Sequence, residues 1–590
     1  MTQDTPNNPT PQGPRDAATP RAPEPTEPPK PIEPTPTPTP GPVAHRREAP
    51  ATDETVKETI ESIVIAFILA FVFRAFVVEP FIIPTGSMAP TMLGTHAQIN
   101  CPSCGYHFDV GVDQSQLTDE SLVPITSADC PMCNYEVTTA IGTKARSGDR
   151  ILVDKFSYHL TDPSRWDIVV FKAPQDDEVN GVPAPRANFI KRLVGLPGER
   201  VAFLDGNVFI APAGTNDFAI ARKTDPDTNR HWQTIQRAVW QPIYHSQYIP
   251  IEDGTATGPG RDQLHAFRVP WQINRGDWDL GTDRRPRRVY TFQGGEGEIQ
   301  FKMSGAYGTV QYNDQRTKYP YNQMMGSTNP IEDIRLACAF TPLADNATLT
   351  LATTARLDQP GSGPETLAAS LDTDGRLTLQ AIDEQGNARD LVNATEVGKL
   401  KRGIACEIEL WLVDDEVSVW INGERRIIAR FDLTWQQLAE RLPQPRLPKV
   451  TIAVTSDGPV ELRRVELDRD LYYDPSGYSD SGFARAQAKR IDGRLEVGPN
   501  PLDLRTQTRD YDAELFCLGD NQPASKDGRD WYDVNPWVQR RYFDGDERAG
   551  LVPRSLLVGR AFMVYYPAPH GDSPQAKGIF PDFGRMRFVH

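Results

Sequence analysis

Two cysteine pairs, Cys101-Pro-Ser-Cys104 and Cys130-Pro-Met-Cys133, form the most specific ligand pattern in the sequence. CxxC, a gap of 25 residues and a second CxxC is the spacing of a zinc ribbon, in which two knuckles bring four thiolates to one tetrahedral ion. Gly105 and Asn134 follow the second cysteine of each pair, where knuckle turns favour such residues. Two disulfides are the competing reading for a segment outside the cytoplasm. A ribbon of this kind holds a structural zinc, because four cysteine ligands leave no open position for catalysis. Lys191 raises a different chemistry. It sits between Ile190 and Leu193 in an apolar, strand-like run, where an ammonium must reach water or lose its proton. A neutral lysine is a general base, and its partner would be a hydroxyl nucleophile. Ser87, in Pro84-Thr-Gly-Ser-Met-Ala-Pro-Thr91, is one candidate, although taken alone it reads as a turn residue.

The elements that must position these groups are mostly strands. Residues 60–78 are a nearly unbroken apolar run, interrupted by Glu61 and Arg74. A spanning helix needs about 20 residues, and an arginine at its end reaches the headgroups, so a membrane anchor is expected over a buried core helix. The preceding residues 1–59 are rich in Pro, Thr, Glu and Ala and include Pro34-Thr-Pro-Thr-Pro-Thr-Pro40. They cannot bury enough apolar area to fold and read as a disordered tail. Residues 79–94 hold the serine, and 95–147 form the cysteine module. Residues 148–210 give short β-branched runs, with Asp205-Gly-Asn as a hairpin turn. Residues 211–290 show no period and are expected to be an irregular extension. Residues 291–471 alternate in short runs such as Glu407–Val413 and Val417–Gly423, the pattern of an antiparallel sandwich with a concanavalin- or laminin-G-like jelly-roll layout. Residues 472–511 read as a linker, and 512–590 return to strands. Cys338, Cys406 and Cys517 lie in apolar strand patterns as buried thiols.

Composition narrows the function classes. The 590 residues carry 63 Lys+Arg against 79 Asp+Glu, a net charge of -16, which excludes a backbone-reading nucleic-acid partner. Charges flanking the apolar run, Arg46, Arg47 and Lys57 against Glu48, Asp53, Glu54 and Glu58, do not fix its orientation.

Four separated blocks resemble the bacterial type I signal peptidases, in that family's order. They are the anchor running into Pro84–Thr91, Gly148–Tyr158, Phe189–Gly198, and Gly519-Asp-Asn with Ser525-Lys-Asp-Gly-Arg529 followed by Val552-Pro553 and Gly559-Arg-Ala561. They cover under a third of the chain. The resemblance implies a β-rich, membrane-bound serine endopeptidase that removes signal peptides from exported proteins. Its catalytic region would face outward from the cell (inner) membrane and its N-terminus the cytoplasm. It implies Ser87 as nucleophile, Lys191 as general base, and no cofactor for catalysis. The oxyanion donors would be the Ser87 N–H and the Thr85 hydroxyl, where many relatives have serine. Ser525 would orient the lysine amine, Asp527 and Arg192 would form a supporting ion pair, and Gly519, Asp520 and Asn521 would shape the loop. Phe81, Ile82, Pro84, Met88 and Ile151 are the expected substrate-contacting residues, with a substrate strand laid along Phe81–Pro84. Gln522 and Gly528 depart from the family's arginine and serine. The implied partners are signal-peptide-bearing preproteins and the lipid bilayer; no partner is implied for the sandwich. The fold expected is therefore mainly β: an antiparallel catalytic core behind a transmembrane helix, with a zinc-ribbon-like and a jelly-roll-like insertion. Two other readings are an anchored binding protein with an inactive peptidase core and a self-cleaving, repressor-type serine–lysine protease.

Overall fold

The computed structural model describes residues 53–112, 128–132, 136–137, 145–175, 187–224, 236–237, 239–248, 269–282, 285–302, 333–355, 364–440, 448–476, 486–492, 494–498, 502–567 and 583–589. Cys133, Asn134 and most of the expected N-terminal tail lie outside them. By contacts the chain divides into residues 1–67 and 68–590. Helix α1, Asp53–Phe76, contains a 20-residue apolar stretch, Lys57–Phe76, with mean hydropathy 2.1 and none of it buried. It is long and apolar enough to cross a membrane. The β-branched pair Val77-Val78 and then Pro80 end the helix and open strand β1.

The strands around Ser87 and Lys191 form one mixed-order, antiparallel eight-stranded sheet. Its strands are β1 (Val78–Ile82), β2 (Arg150–Asp154), β3 (Ile168–Lys172), β4 (Asn188–Gly195), β5 (Glu514–Leu518), β6 (Val552–Pro553), β7 (Leu557–Tyr566) and β8 (Arg587–Phe588). The order is β1-β2-β7-β3-β4-β5-β6, with β8 on β7. Strand β2 alternates, Ile151 and Val153 facing in; β3 and β5 are buried almost throughout, as expected of central strands covered on both faces. Beside this sheet, Glu199–Leu204 and Asn207–Pro212 form a hairpin in a four-stranded sheet. Its turn residues Asp205 and Gly206 both have positive φ, as a type I′ turn requires.

The insertion is a sandwich of two eight-stranded antiparallel sheets sharing one core, with Leu336, Leu410 and Leu462 from one sheet and Leu351, Leu371 and Ile452 from the other. The turns at Asp414-Asp415 and Asn422-Gly423 again take positive φ. Two expectations need correction. Residues 211–290 are not irregular throughout: Gln241–His245, Trp271–Arg275 and Trp278–Thr282 are strands of the sandwich sheets. Their burial does not alternate, with four consecutive exposed residues after Trp271, so no period was visible. The segment 472–511 is likewise more than a linker, since Ala488–Ile491 and Arg494–Val497 form a hairpin and Leu502–Asp503 joins the four-stranded sheet.

The path behind the serine is fixed by backbone. Ile83 N–H donates to the Asp149 carbonyl at 3.0 Å and Asp149 N–H to the Leu93 carbonyl at 2.9 Å. A Cβ at Gly148 would lie 1.9 Å from the Ile83 oxygen and 2.9 Å from the Leu93 oxygen. Both obstacles are backbone and cannot swing away. Gly148→Ala is expected to lower stability by about 3 kcal/mol, as other strained core changes do, read as a fall in the thermal unfolding midpoint; an unchanged midpoint would show that this crossing is loose.

Candidate active site

The nucleophile candidate lies on a short 3-10 turn, Gly86–Met88, that follows β1. Lys191 lies on β4, opposite Val169 of β3, and its neighbour Arg192 is opposite Leu518 of β5. The sheet thus presents Lys191 to the turn, and Lys191 Nζ and Ser87 Oγ are hydrogen-bonded at 2.7 Å. Both side chains are buried. Burial pushes the Lys191 ammonium down to about 8, with Arg529 acting in the same direction and Asp527, Cys517 and Asp520 opposing it. A pair of this geometry can pass a proton from hydroxyl to amine near neutral pH.

The loop after β5 clamps the turn from behind. Asn521 N–H donates to the Ser87 carbonyl and Asn521 Nδ2 to the Gly86 carbonyl, each at 3.0 Å. Gly519 passes so close that a Cβ would sit 2.4 Å from the Ser87 oxygen and 2.2 Å from Ser525 Oγ. Only glycine fits there. Asp520 receives a two-pronged ion pair from Arg192, Nε to Oδ1 at 2.7 Å and Nη2 to Oδ2 at 2.6 Å, and Thr91 Oγ1 donates to the same carboxylate. Asp527 receives Arg529 Nε and Nη2, each at 2.8 Å, and the Gly519 N–H at 3.0 Å. Burial raises the Asp527 carboxyl, but Arg529 and these hydrogen bonds outweigh it and hold it below the ordinary carboxylate range.

Three expected roles change. Arg192 pairs with Asp520 and Asp527 with Arg529, so the anticipated Asp527–Arg192 pair is not formed. Both arginines lie near the loop, and sequence cannot say which carboxylate each fork reaches. Ser525 Oγ is buried and has no hydrogen-bond partner among the described residues, so the expected contact to the lysine amine is not made. Met88 and Ile151, expected to contact substrate, are 0% and 1% exposed and belong to the core under β1 and β2. Ile82, Pro84 and Thr85 are exposed and Phe81 is half-buried. Thr91 and Arg529 were missed as braces; Arg529's place two residues after Asp527 was the available signal. The departure at Gln522 is accommodated, since Nε2 donates to the Gly519 carbonyl. Gly528 is required by packing, because a Cβ there would meet the Gly550 oxygen at 2.6 Å.

The cysteine module has ligand geometry. Cys101, Cys104 and Cys130 are buried and not disulfide-bonded; their sulfurs lie within 4.8 Å of one another, and Cys104 and Cys130 sulfurs are 3.6 Å apart, far beyond a disulfide bond. Gly105, at φ +75°, turns the first knuckle as its N–H donates to the Cys101 carbonyl at 2.9 Å. Three converging thiols on such a knuckle fit a structural zinc, with Cys133 the fourth ligand by sequence.

Residues 56–109 and 133–254 match the family model described as signal peptidase, peptidase S26. Among curated proteins, a probable signal peptidase I-1 of Synechocystis sp. is 28% identical over 160 residues, 27% of this chain and 54% of that protein. Signal peptidase I of Rickettsia typhi is 27% identical over 164 residues, 28% of this chain and 47% of that protein. That of Rickettsia massiliae is 27% identical over 243 residues, 37% and 74% of the two chains. The chain spans about half the length of the first two relatives. Among solved structures, a carbohydrate-binding module of Bacillus subtilis, CBM66, aligns with 34% of this chain and 96% of its own at 12% identity and a TM-score of 0.21.

Metal analysis of the purified protein is expected to find one zinc per chain. Cys104→Ser is expected to lose it and to lower the unfolding midpoint, since metal binding adds to folding free energy; a metal-free wild type of full stability would remove the zinc assignment.

Proposed function

We propose that the chain belongs to the signal peptidase family, peptidase S26, whose model it matches over residues 56–109 and 133–254, and that it is a membrane-anchored serine endopeptidase that removes N-terminal signal peptides from exported proteins. The observation that carries this reading is the buried 2.7 Å contact between Lys191 and Ser87. Neutral Lys191 takes the Ser87 proton as Oγ attacks the scissile carbonyl. The tetrahedral intermediate collapses, the C–N bond breaks, and the Lys191 ammonium returns the proton to the leaving amine. A water then gives its proton to Lys191 and attacks the acyl-serine ester, releasing the signal peptide's carboxylate and restoring the hydroxyl. The oxyanion of each intermediate would be met by the Ser87 N–H and the exposed Thr85 hydroxyl.

Strand β1 supports the substrate assignment. It lies at the end of its sheet and pairs on one side with β2, so its other edge is open to an extended peptide. Exposed Ile82 and half-buried Phe81 line that edge, and small residues near a signal peptide's cleavage site would pass over them without clash. We place the helix as a single-pass anchor in the cell membrane, N-terminus cytoplasmic and dyad on the outer side, where preproteins present their cleavage sites.

Detergent-solubilised full-length protein is expected to cut a precursor with an Ala-x-Ala signal peptide after the final alanine. Ser87→Ala and Lys191→Met, both folded, are expected to lose at least about 10³-fold in kcat, since removing a nucleophile or its base abolishes the covalent step. A folded Ser87→Ala that still cleaves would end the reading. The pH profile has a definite sign. Lys191 works unprotonated, so the rate is expected to rise through about pH 8 to a plateau and to fall below it; a rate that falls as pH rises through this range would contradict a lysine base.

A further inference from the structure

Lys223 has no part in the dyad, yet it is 1% exposed and multiply bonded. Its Nζ lies 2.7 Å from Asp414 Oδ1 and 2.8 Å from Asp470 Oδ2, and its own N–H donates to Asp414 Oδ2 at 2.9 Å. Asp414 is in the turn after sandwich strand Cys406–Val413, and Asp470 follows sandwich strand Val460–Arg469. Asp333 completes an acidic trio by accepting the Asp414 N–H at 3.2 Å. The cation of this trio is Lys223 itself, which leaves no call for a metal there.

The same ammonium also faces the catalytic sheet. It stands 5.6 Å from the ring of Trp166 and 5.4 Å from that of Tyr473. The Trp166 carbonyl accepts Arg192 Nη1 at 2.8 Å, and its indole N–H donates to the Arg222 carbonyl at 3.2 Å. Trp166 holds φ at +72°, a conformation that a bulky residue keeps only where its surroundings over-determine it. Arg192 is the chain neighbour of Lys191 and pairs with Asp520 of the loop that clamps Ser87. The far end of the insertion is fastened to that loop too: Arg529 Nη1 donates to the Asp474 and Ser476 carbonyls at 3.0 and 3.1 Å while holding Asp527. Both ends of the sandwich insertion therefore end on the two ion pairs behind the dyad.

We propose that the sandwich is a positioning element of the peptidase and that Lys223 is the residue through which it holds Trp166, Arg192 and the Lys191 strand in register with Ser87. This rests on the peptidase reading above. A passive fastening of two domains would need the ion pairs to the sandwich but not the strained tryptophan, nor the carbonyl that Trp166 gives to Arg192.

The test uses full-length protein. Lys223→Met leaves buried carboxylates unpaired and is liable to unfold, so the informative variant is Lys223→Met with Asp470→Asn, which removes one charge of each sign. With its unfolding midpoint near wild type, this variant is expected to lose about tenfold in kcat with KM within about twofold, the pattern of misplaced catalytic groups. The groups facing Lys191 are Asp527, Cys517, Arg529, Asp520 and Ser87. Loosening them admits water, so the midpoint of the pH–rate profile and that of competitive acetylation at Lys191, read by mass spectrometry, are both expected to move upward. A folded double variant with wild-type kcat and an unmoved Lys191 midpoint overturns the proposal. If the double variant does not fold, Trp166→Phe decides by the same readouts: a loss of about threefold in kcat with the same upward movement supports it, and wild-type values overturn it. Failure of the peptidase reading itself would show separately, as a wild type that cuts no precursor while its acetylation midpoint remains measurable.

Discussion

The structure turns on burying one lysine against one serine, which makes the lysine give up its proton more readily than it would in water. Lys191 is buried beside Ser87, at 5% and 6% exposure. Its depression from 10.5 to about 8 corresponds to about 3 kcal/mol at one protonation step. The sign follows from linkage. Unfolded, this lysine binds its proton more tightly than folded, so the penalty grows as pH falls from about 10.5 to about 8 and is constant below. Bare carboxylates at this distance would pull the pKa back up. The nearby acids are instead committed elsewhere, Asp520 to Arg192 and Asp527 to Arg529. The ion pairs behind the dyad thus serve the dyad's protonation state as much as its geometry.

Much of this was legible in the sequence because the relevant signals are local. Lys191 in an apolar strand, the first CxxC, the Asp205-Gly206 and Asn422-Gly423 turns and the apolar run before Pro80 each report on a few consecutive residues, and the structure places each in a matching element. What failed was non-local. No period tells Arg192 to choose Asp520, 328 residues away, over Asp527. Met88 follows Ser87 directly and Ile151 lies in the Gly148–Tyr158 block, but only the packing of β1 on β2 decides that they point into the core. Trp271–Arg275 is a strand because Gly295–Phe301 pairs with it, not because its own residues alternate.

The two insertions are accommodated for a common reason. Each leaves and re-enters the sheet that carries Ser87 and Lys191 at constrained sites: the cysteine module between Thr95 and Arg146, beside the His96–Arg146 backbone bridge, and the sandwich between Lys223 and Asp474, each held by a side-chain hydrogen bond. Closing a long loop costs little more than closing a short one. Length is tolerated if the ends are fixed, as they are here.

The strand order has a consequence for synthesis of the chain. Strand β7, Leu557–Tyr566, lies between β2 and β3 and pairs with both, so the β1-β2 half that carries Ser87 and the β3-β4 half that carries Lys191 are joined across it. A ribosome releases the serine and the lysine hundreds of residues before this strand. Until β7 emerges, the two halves of the sheet share no edge, and the growing polypeptide carries a serine and a lysine that cannot yet meet. The Ser87–Lys191 contact is in this way kept from forming until the residues of β7 have been made.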